Sequence, residues 1–348
     1  MERKKTAVLF GGCSSEYEVS LQSAYSVISH MDRKRYEVLM IGLQRNTGQW
    51  LWYQGDPDRI AGDKWDREED CTPVYLPTDK REQGFYYEKN GSRCVLHVDL
   101  VLPVLHGKNG EDGTVQGALE LAGIPLAGCG TLSSALCMDK ELAHRVAHAA
   151  GIPVPASVLV RKPYEAEKVK RDGAALSWPL FVKPVRAGSS FGITMVRKEE
   201  ELIPALEHAF LYDSMVVMEE RIAGREVGCA VIGSSDLLVG EADEIELSDG
   251  FFDYTEKYTL KTSSIHVPAR VDAETAGRIK RTAQTLYRAL GCSGFARVDM
   301  FLTDDGKLCF NEINTIPGFT MHSRFPNMMK AAGYSFEEII SRILESGS

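Results

Sequence analysis

The chain of 348 residues is 44% hydrophobic and 26% charged, with a formal net charge of −9. That length holds two or three domains with ample core, and the acidic balance argues against a nucleic-acid surface, which needs a basic footprint. No apolar run approaches the roughly 18 residues of a membrane span, and eight cysteines without CxxC spacing argue against zinc and, with no export signal, read as reduced thiols in the cytoplasm.

Residues 6–10 predict a short strand. Gly11-Gly12-Cys13-Ser14-Ser15-Glu16 follows, then a helical pattern with Leu21, Ala24, Ile28 and Met31 on one face. Such a turn can set backbone N–H groups near an anion, but it is not GxGxxG and does not specify a dinucleotide. Glu16, at the helix start, has two readings: a charge that suits the helix dipole, or a carboxylate that holds a substrate ammonium. Residues 36–43 and 49–53 read as strands, and 55–95 as a polar, irregular surface region. Residues 100–105 are apolar throughout, as in a buried parallel strand. The HGKNGEDG loop that follows, from His106, falls at the sheet's carboxyl edge, where open α/β sheets bind ligands. His106 is either a site residue or a partner for loop backbone. Residues 123–128 read as a short strand closing the first domain.

Met138-Asp139-Lys140 opens a helix that Gly151-Ile152-Pro153 breaks. Strands at 179–183 and 193–196 flank a small-residue loop and together predict a β-hairpin flap. Gly188, Ser189, Ser190 and Gly192 let its backbone approach phosphate oxygens, with Lys183 beside it. The loop is not GxxxxGK[ST], so it is not a P-loop. Further strands are predicted at 215–219, 227–232 and 237–245. The polar loop from Ser248 to Tyr258, carrying Phe251, Lys257 and Tyr258, reads as a lid. An amphipathic helix spans 272–290, and a closing helix starts at Ser335.

The stretch from Arg297 to Thr315 predicts two strands about the turn Asp304-Asp305-Gly306. Glu312 and Asn314 lie two apart and share a face, and Asp299 can lie across from them if the strands pair. Two carboxylates and an amide oxygen make an all-oxygen set suited to Mg²⁺ or Mn²⁺. A solvated hairpin with polar outer residues is the plainer alternative.

Taken together, GGCSSEYEVS, HGKNGEDG, MDK, KPVRAGSSFG, FFDYTEKY, RVDMF, NEINTIPGFT and HSR resemble, in order, the D-alanine–D-alanine ligases of the ATP-grasp superfamily. The resemblance implies a mixed α/β and α+β architecture. It comprises an N-terminal α/β (pre-ATP-grasp) domain over 1–135, a central ATP-grasp flap domain over 136–227 and a C-terminal ATP-grasp domain over 228–348. It implies that Glu16 holds the first substrate's ammonium in a hydrogen-bonded triad with Ser189 and Tyr258, and that His106 lies near that substrate's carboxylate. Lys140, Lys183 and Lys257 resemble the phosphate lysines, and Glu219 and Glu226 the adenine and ribose contacts. Ser190, Glu220, Ile222, Phe251, Asn311 and Glu312 complete the ATP pocket. Asp299, Glu312 and Asn314 match the ligands of two Mg²⁺ (or Mn²⁺) ions. Arg297 and the Gly318 N–H match the groups that stabilise the tetrahedral intermediate, and Ser323 the residue near the second substrate's carboxylate.

Arg324 stands where housekeeping members commonly carry leucine. With Lys108-Asn109 and the FFDYTEKYTLK loop it resembles the vancomycin-resistance ligases of the D-alanine–D-serine type. Tyr258 argues against the D-lactate type. The expected protein is an ATP-dependent ligase joining D-alanine to D-serine or D-alanine for peptidoglycan precursors, cytoplasmic and homodimeric, with no nucleic-acid or membrane partner. A housekeeping D-alanine–D-alanine ligase and a non-catalytic nucleotide-binding protein are the alternatives.

Overall fold

A parallel core of three strands organises the N-terminal third of the computed structural model, which describes residues 3–247 and 263–347. β1 (Lys4–Gly11) is buried from Thr6 onward and lies parallel to β2 (Tyr36–Leu43) on one side. Two antiparallel strands, β3 (Trp50–Tyr53) and β4 (Cys71–Pro73), extend the sheet outward. β5 (Gly84–Lys89) and β6 (Ser92–His97) form a separate hairpin, and β7 (Leu100–Pro103) returns parallel to β1. α1 (Tyr17–His30) buries Leu21, Ala24 and Ile28, the face its periodicity predicts. α2 (Asp58–Ala61) and α3 (Thr114–Ala122) complete this unit, and α4 (Thr131–Met138) leads to α5 (Lys140–Ala149). Asp139 caps α5 by accepting from the Leu142 N–H at 3.0 Å.

The structure departs from the sequence-based expectation in two segments. Residues 55–95 are not an irregular region, because Trp65 anchors them. Its indole is fully buried, donates to the Tyr17 hydroxyl at 3.0 Å, and meets the Phe10 ring edge-on at 4.9 Å. Residues 123–128 do not make a strand: only Leu126 bridges, to Val101.

The central unit is an antiparallel sheet in the order β10-β9-β11-β8. It comprises β8 (Ser157–Arg161), β9 (Leu180–Pro184), β10 (Thr194–Val196) and β11 (Met215–Glu220), covered by α6 (Ala166–Ala174) and α7 (Glu199–Ala209). Its core of Val182, Val196, Leu202, Leu206 and Met218 is a separate cluster. The flap is the loop between the paired strands β9 and β10.

The third sheet runs β14-β13-β12-β15-β16, antiparallel throughout. Its strands are β12 (Arg225–Ile232), β13 (Leu238–Leu247), β14 (Ser263–His266), β15 (Phe295–Leu302) and β16 (Leu308–Asn314). The boundary expected after residue 227 thus falls inside β12. α8 (Ala273–Ala289) packs on this sheet, and α9 (Arg324–Ala331) and α10 (Phe336–Ser346) close the chain. Ser335 and Glu338 form a reciprocal capping box at α10. One apolar cluster runs from Phe10, Leu21 and Ile28 into Phe295, Phe325 and Ile343, so the first and third units share a core. Among the described residues no helix is long and apolar enough to cross a membrane.

Candidate active site

Glu16 precedes α1, yet its side chain caps none of the helix N–H groups. It is 6% exposed and accepts a hydrogen bond from Ser189 Oγ on the flap. Two glycines make room for the carboxylate. A Cβ on Gly107 would lie 2.6 Å from Glu16 Oε2, and one on Gly188 would lie 2.8 Å from it. Gly107 comes from the loop after β7 and Gly188 from the flap, so two separate units close on one carboxylate. Ser189 and Ser190 hold φ of +48° and +59°, a left-handed backbone uncommon for residues with side chains. Such strain persists where surrounding structure fixes it, typically at functional loops.

His106, in the loop that also carries Gly107, is buried, with Nε2 3.2 Å from Ser23 Oγ. Burial pushes its pKa down to about 4, so the ring is neutral. Glu111, in the same loop, accepts the Gly107 N–H at 2.7 Å. Burial, and next the Glu16 carboxylate, push Glu111 up. Glu111 thereby favours its protonated form.

A cleft opens between the central and third sheets. Lys140, Lys183, Ser190, Glu219, Glu220, Ile222, Glu226, Asn311 and Glu312 all line it, as does Ser189. Lys140 Nζ donates to the Ala187 carbonyl of the flap at 2.9 Å, and Lys183 Nζ to Glu219 Oε1 at 2.6 Å. Two lysines lining the cleft can supply a counter-charge for a polyphosphate.

The third sheet carries a row of residues across four strands. Asp243 pairs with Gly228, Gly228 with Asp299, and Asp299 with Glu312. Asn314 Nδ2 lies 2.9 Å from Asp299 Oδ2. Arg297 Nε and Nη2 reach the Asp299 oxygens at 2.8 and 2.7 Å. Arg324, at the start of α9, crosses above Gly228. It donates to Asp243 at 2.6 and 2.8 Å, to Glu226 at 3.1 Å, and lies 3.3 Å from Asp299. A Cβ on Gly228 would sit 2.6 Å from the Arg324 Nη2 and 2.8 Å from oxygens of Asp243 and Asp299. Burial pulls the Arg324 pKa down, but the carboxylates of Asp243 and Asp299 outweigh it and raise it. Nearby, Ser323 Oγ accepts the Thr320 N–H at 3.0 Å, and a Cβ on Gly318 would approach that oxygen to 3.2 Å.

Comparison with known proteins decides the family. The D-Ala D-Ala ligase N-terminus model matches residues 5–129 and the C-terminus model residues 146–345. The chain belongs to the D-alanine–D-alanine ligase family. It is 44% identical over 349 aligned positions to the vancomycin/teicoplanin A-type resistance protein VanA of Enterococcus faecium, covering 99% of this chain and 98% of that one. It is 41% identical to a D-alanine–D-alanine ligase of Caldicellulosiruptor bescii, covering 99% and 95%. Among solved structures it resembles the VanG D-Ala:D-Ser ligase from Enterococcus faecalis with a TM-score of 0.92 and 53% identity, covering 99% of both chains. The protein is therefore an ATP-grasp enzyme of a family that ligates D-amino acids using ATP and divalent metal ions.

The donor set of this D-alanine–D-alanine ligase family member fits such a cation. Asp299 and Glu312 face each other across paired strands and Asn314 adjoins Asp299, an all-oxygen set of the hard-cation kind. Among the described residues no group of three or more His, Cys, Asp and Glu side chains offers another centre. Phe251, Lys257 and Tyr258, expected in the lid, lie outside the described residues. Sequence reasoning missed Asp243, Gly228 and Glu111. The first two have no local motif and are marked only by strand register; Glu111 was visible inside HGKNGEDG but had no assigned role.

Proposed function

We propose that this ligase joins D-alanine to D-serine, in preference to a second D-alanine, through a D-alanyl phosphate. One observation carries the reaction: Glu16, held by flap Ser189, adjoins a cleft with two lysines and the carboxylate row. Glu16 takes the ammonium of D-alanine, and the reading gives Tyr258 the third place in the Glu16–Ser189 triad. A carboxylate oxygen of D-alanine attacks the γ-phosphorus of ATP as the bond to ADP breaks. Lys140 and Lys183 balance the phosphate charge. Asp299, Glu312 and Asn314 would hold two divalent ions, which would supply positive charge against the phosphates.

The amine of the second amino acid, having lost a proton, then attacks the acyl carbon. Arg297 and the Gly318 N–H stabilise the oxyanion, and phosphate leaves. Water would hydrolyse the acyl phosphate, so the flap over Glu16 serves to exclude it. Ser323 places the second substrate's carboxylate. Arg324 is the feature that favours D-serine: its buried cation sits where housekeeping members commonly carry leucine, and the 53% identity to a D-Ala:D-Ser ligase agrees with it. We further infer a cytoplasmic homodimer serving peptidoglycan precursors and glycopeptide resistance, with units bounded near 135 and, because β12 is one strand, near 225 rather than 227.

The test is competition. With ATP, D-alanine and equal D-serine, the D-alanyl-D-serine dipeptide should dominate by mass. A product that is all D-alanyl-D-alanine supports the housekeeping reading instead.

A further inference from the structure

Glu219 is 2% exposed, and its two carboxylate oxygens are treated differently by the protein. Oε1 accepts from Lys183 at 2.6 Å, whereas Oε2 has no hydrogen-bond partner among the described residues. A buried carboxylate oxygen without a donor is costly, so it marks a place where a ligand brings one. The residue facing it is His144 on α5, 6% exposed, with Nδ1 4.0 Å from Oε2. The other ring nitrogen, Nε2, lies 2.9 Å from the Asn311 carbonyl oxygen. That carbonyl can only accept, so Nε2 carries the hydrogen. Burial lowers the His144 pKa against the pull of Glu219, so the ring is neutral and Nδ1 is bare. The Phe310 ring packs edge-on at 5.5 Å and fixes the imidazole plane. Two lone pairs thus face each other, and the histidine withholds a donor from Glu219 while tying α5 to β16.

We propose that His144 is a positioning residue that keeps Glu219 Oε2 reserved for the ligand, so that the cleft selects a purine with an exocyclic amino group. The inference rests on the nucleotide reading above and deepens it. A 6-amino purine donates to the reserved oxygen. A 6-oxo purine presents a third lone pair and leaves the carboxylate unpaired, and sites built on a buried polar group reject such analogues strongly. A lysine, arginine or amide nitrogen in place of Nδ1 would satisfy Oε2 internally and remove the discrimination.

The experiment compares ATP with ITP, which differ at that group, in the full-length enzyme with saturating D-alanine and D-serine. The wild type should favour ATP in kcat/KM by about a hundredfold. His144→Lys gives Glu219 a donor, and the ratio should fall at least about tenfold through the nucleotide KM, with the D-alanine KM unchanged. His144→Gln keeps a donor for Asn311 and presents an oxygen where Nδ1 stood, and should keep the ratio. His144→Leu offers Glu219 no donor and should also keep it. A folded lysine variant that keeps the wild-type ratio, or a folded glutamine variant that loses it, overturns the role of His144 and leaves the nucleotide reading standing. A wild type that binds and turns over neither nucleotide overturns that reading, and this inference with it.

Discussion

Arg324 and Asp243 meet through two hydrogen bonds, Nε to Oδ2 at 2.6 Å and Nη2 to Oδ1 at 2.8 Å, in the interior of the third sheet. The same guanidinium reaches Asp299 and Glu226, so one cation pairs with three carboxylates. Removing one partner of a buried pair leaves uncompensated charge and costs about 3–5 kcal/mol. Arg324→Leu should therefore lower the unfolding free energy by that order and shift the product ratio from D-serine toward D-alanine. Chemical unfolding and product analysis measure both. An unchanged ratio would make the arginine a stabilising residue alone.

Gly228 separates Asp243 from Asp299 and lies beneath Arg324, with room for no side chain. Gly228→Ala should cost about 1–3 kcal/mol by overpacking, and displace the arginine from Asp299. Calorimetry should show a lower melting temperature, and the assay a loss of turnover larger than the loss of stability explains. Wild-type turnover in this variant would mean that the row of carboxylates does not need this spacing.

The link between Glu16 and Ser189 joins the flap to the N-terminal unit. A hydrogen bond to a charged group is worth about 1.5–3 kcal/mol, which is roughly tenfold to hundredfold. Ser189→Ala should lower kcat/KM for D-alanine by that factor and leave the melting temperature within a degree or so. Steady-state kinetics at fixed ATP checks it; an intact kcat/KM would separate the flap from substrate binding.

His106 provides a pH signature of stability. Its folded pKa is depressed to about 4 from an ordinary 6.5. Above pH 6.5 both folded and unfolded rings are neutral and nothing is gained or lost. Between 6.5 and 4 the unfolded chain binds a proton that the folded chain refuses, so stability falls as the solution is acidified. From pH 7 to 5 the loss from this one group is about 2 kcal/mol. His106→Gln should lose correspondingly less stability over that interval, as urea titrations at the two pH values will show. Parallel losses in both proteins would contradict the neutral, buried imidazole.

Much of this was legible beforehand because period and chemistry agree. The helix face Leu21, Ala24 and Ile28 follows from spacing along one element, and the pairing of Asp299 with Glu312 from two strands joined by a tight turn. What stayed hidden depends on contacts between distant segments. Trp65 turns a charged stretch into ordered structure because a pocket beside Phe10 receives it, and no local period announces that. The hairpin β5–β6 did have a sign, Asn90-Gly91, whose φ of +53° and +74° suit a tight turn, but surrounding charge obscured it. Asp243 and Gly228 take their meaning only from register with Asp299, and Arg324 reads as a pocket residue until α9 carries it over three carboxylates.

On the proposed reading, this site activates the carboxylate of D-alanine by phosphoryl transfer. The direct measurement uses D-alanine labelled with ¹⁸O in both carboxylate oxygens, with ATP and unlabelled D-serine. If the acyl phosphate forms, each phosphate released carries one labelled oxygen and the dipeptide's peptide carbonyl keeps the other. Phosphate released without label, with both labelled oxygens still on D-alanine, would contradict the account.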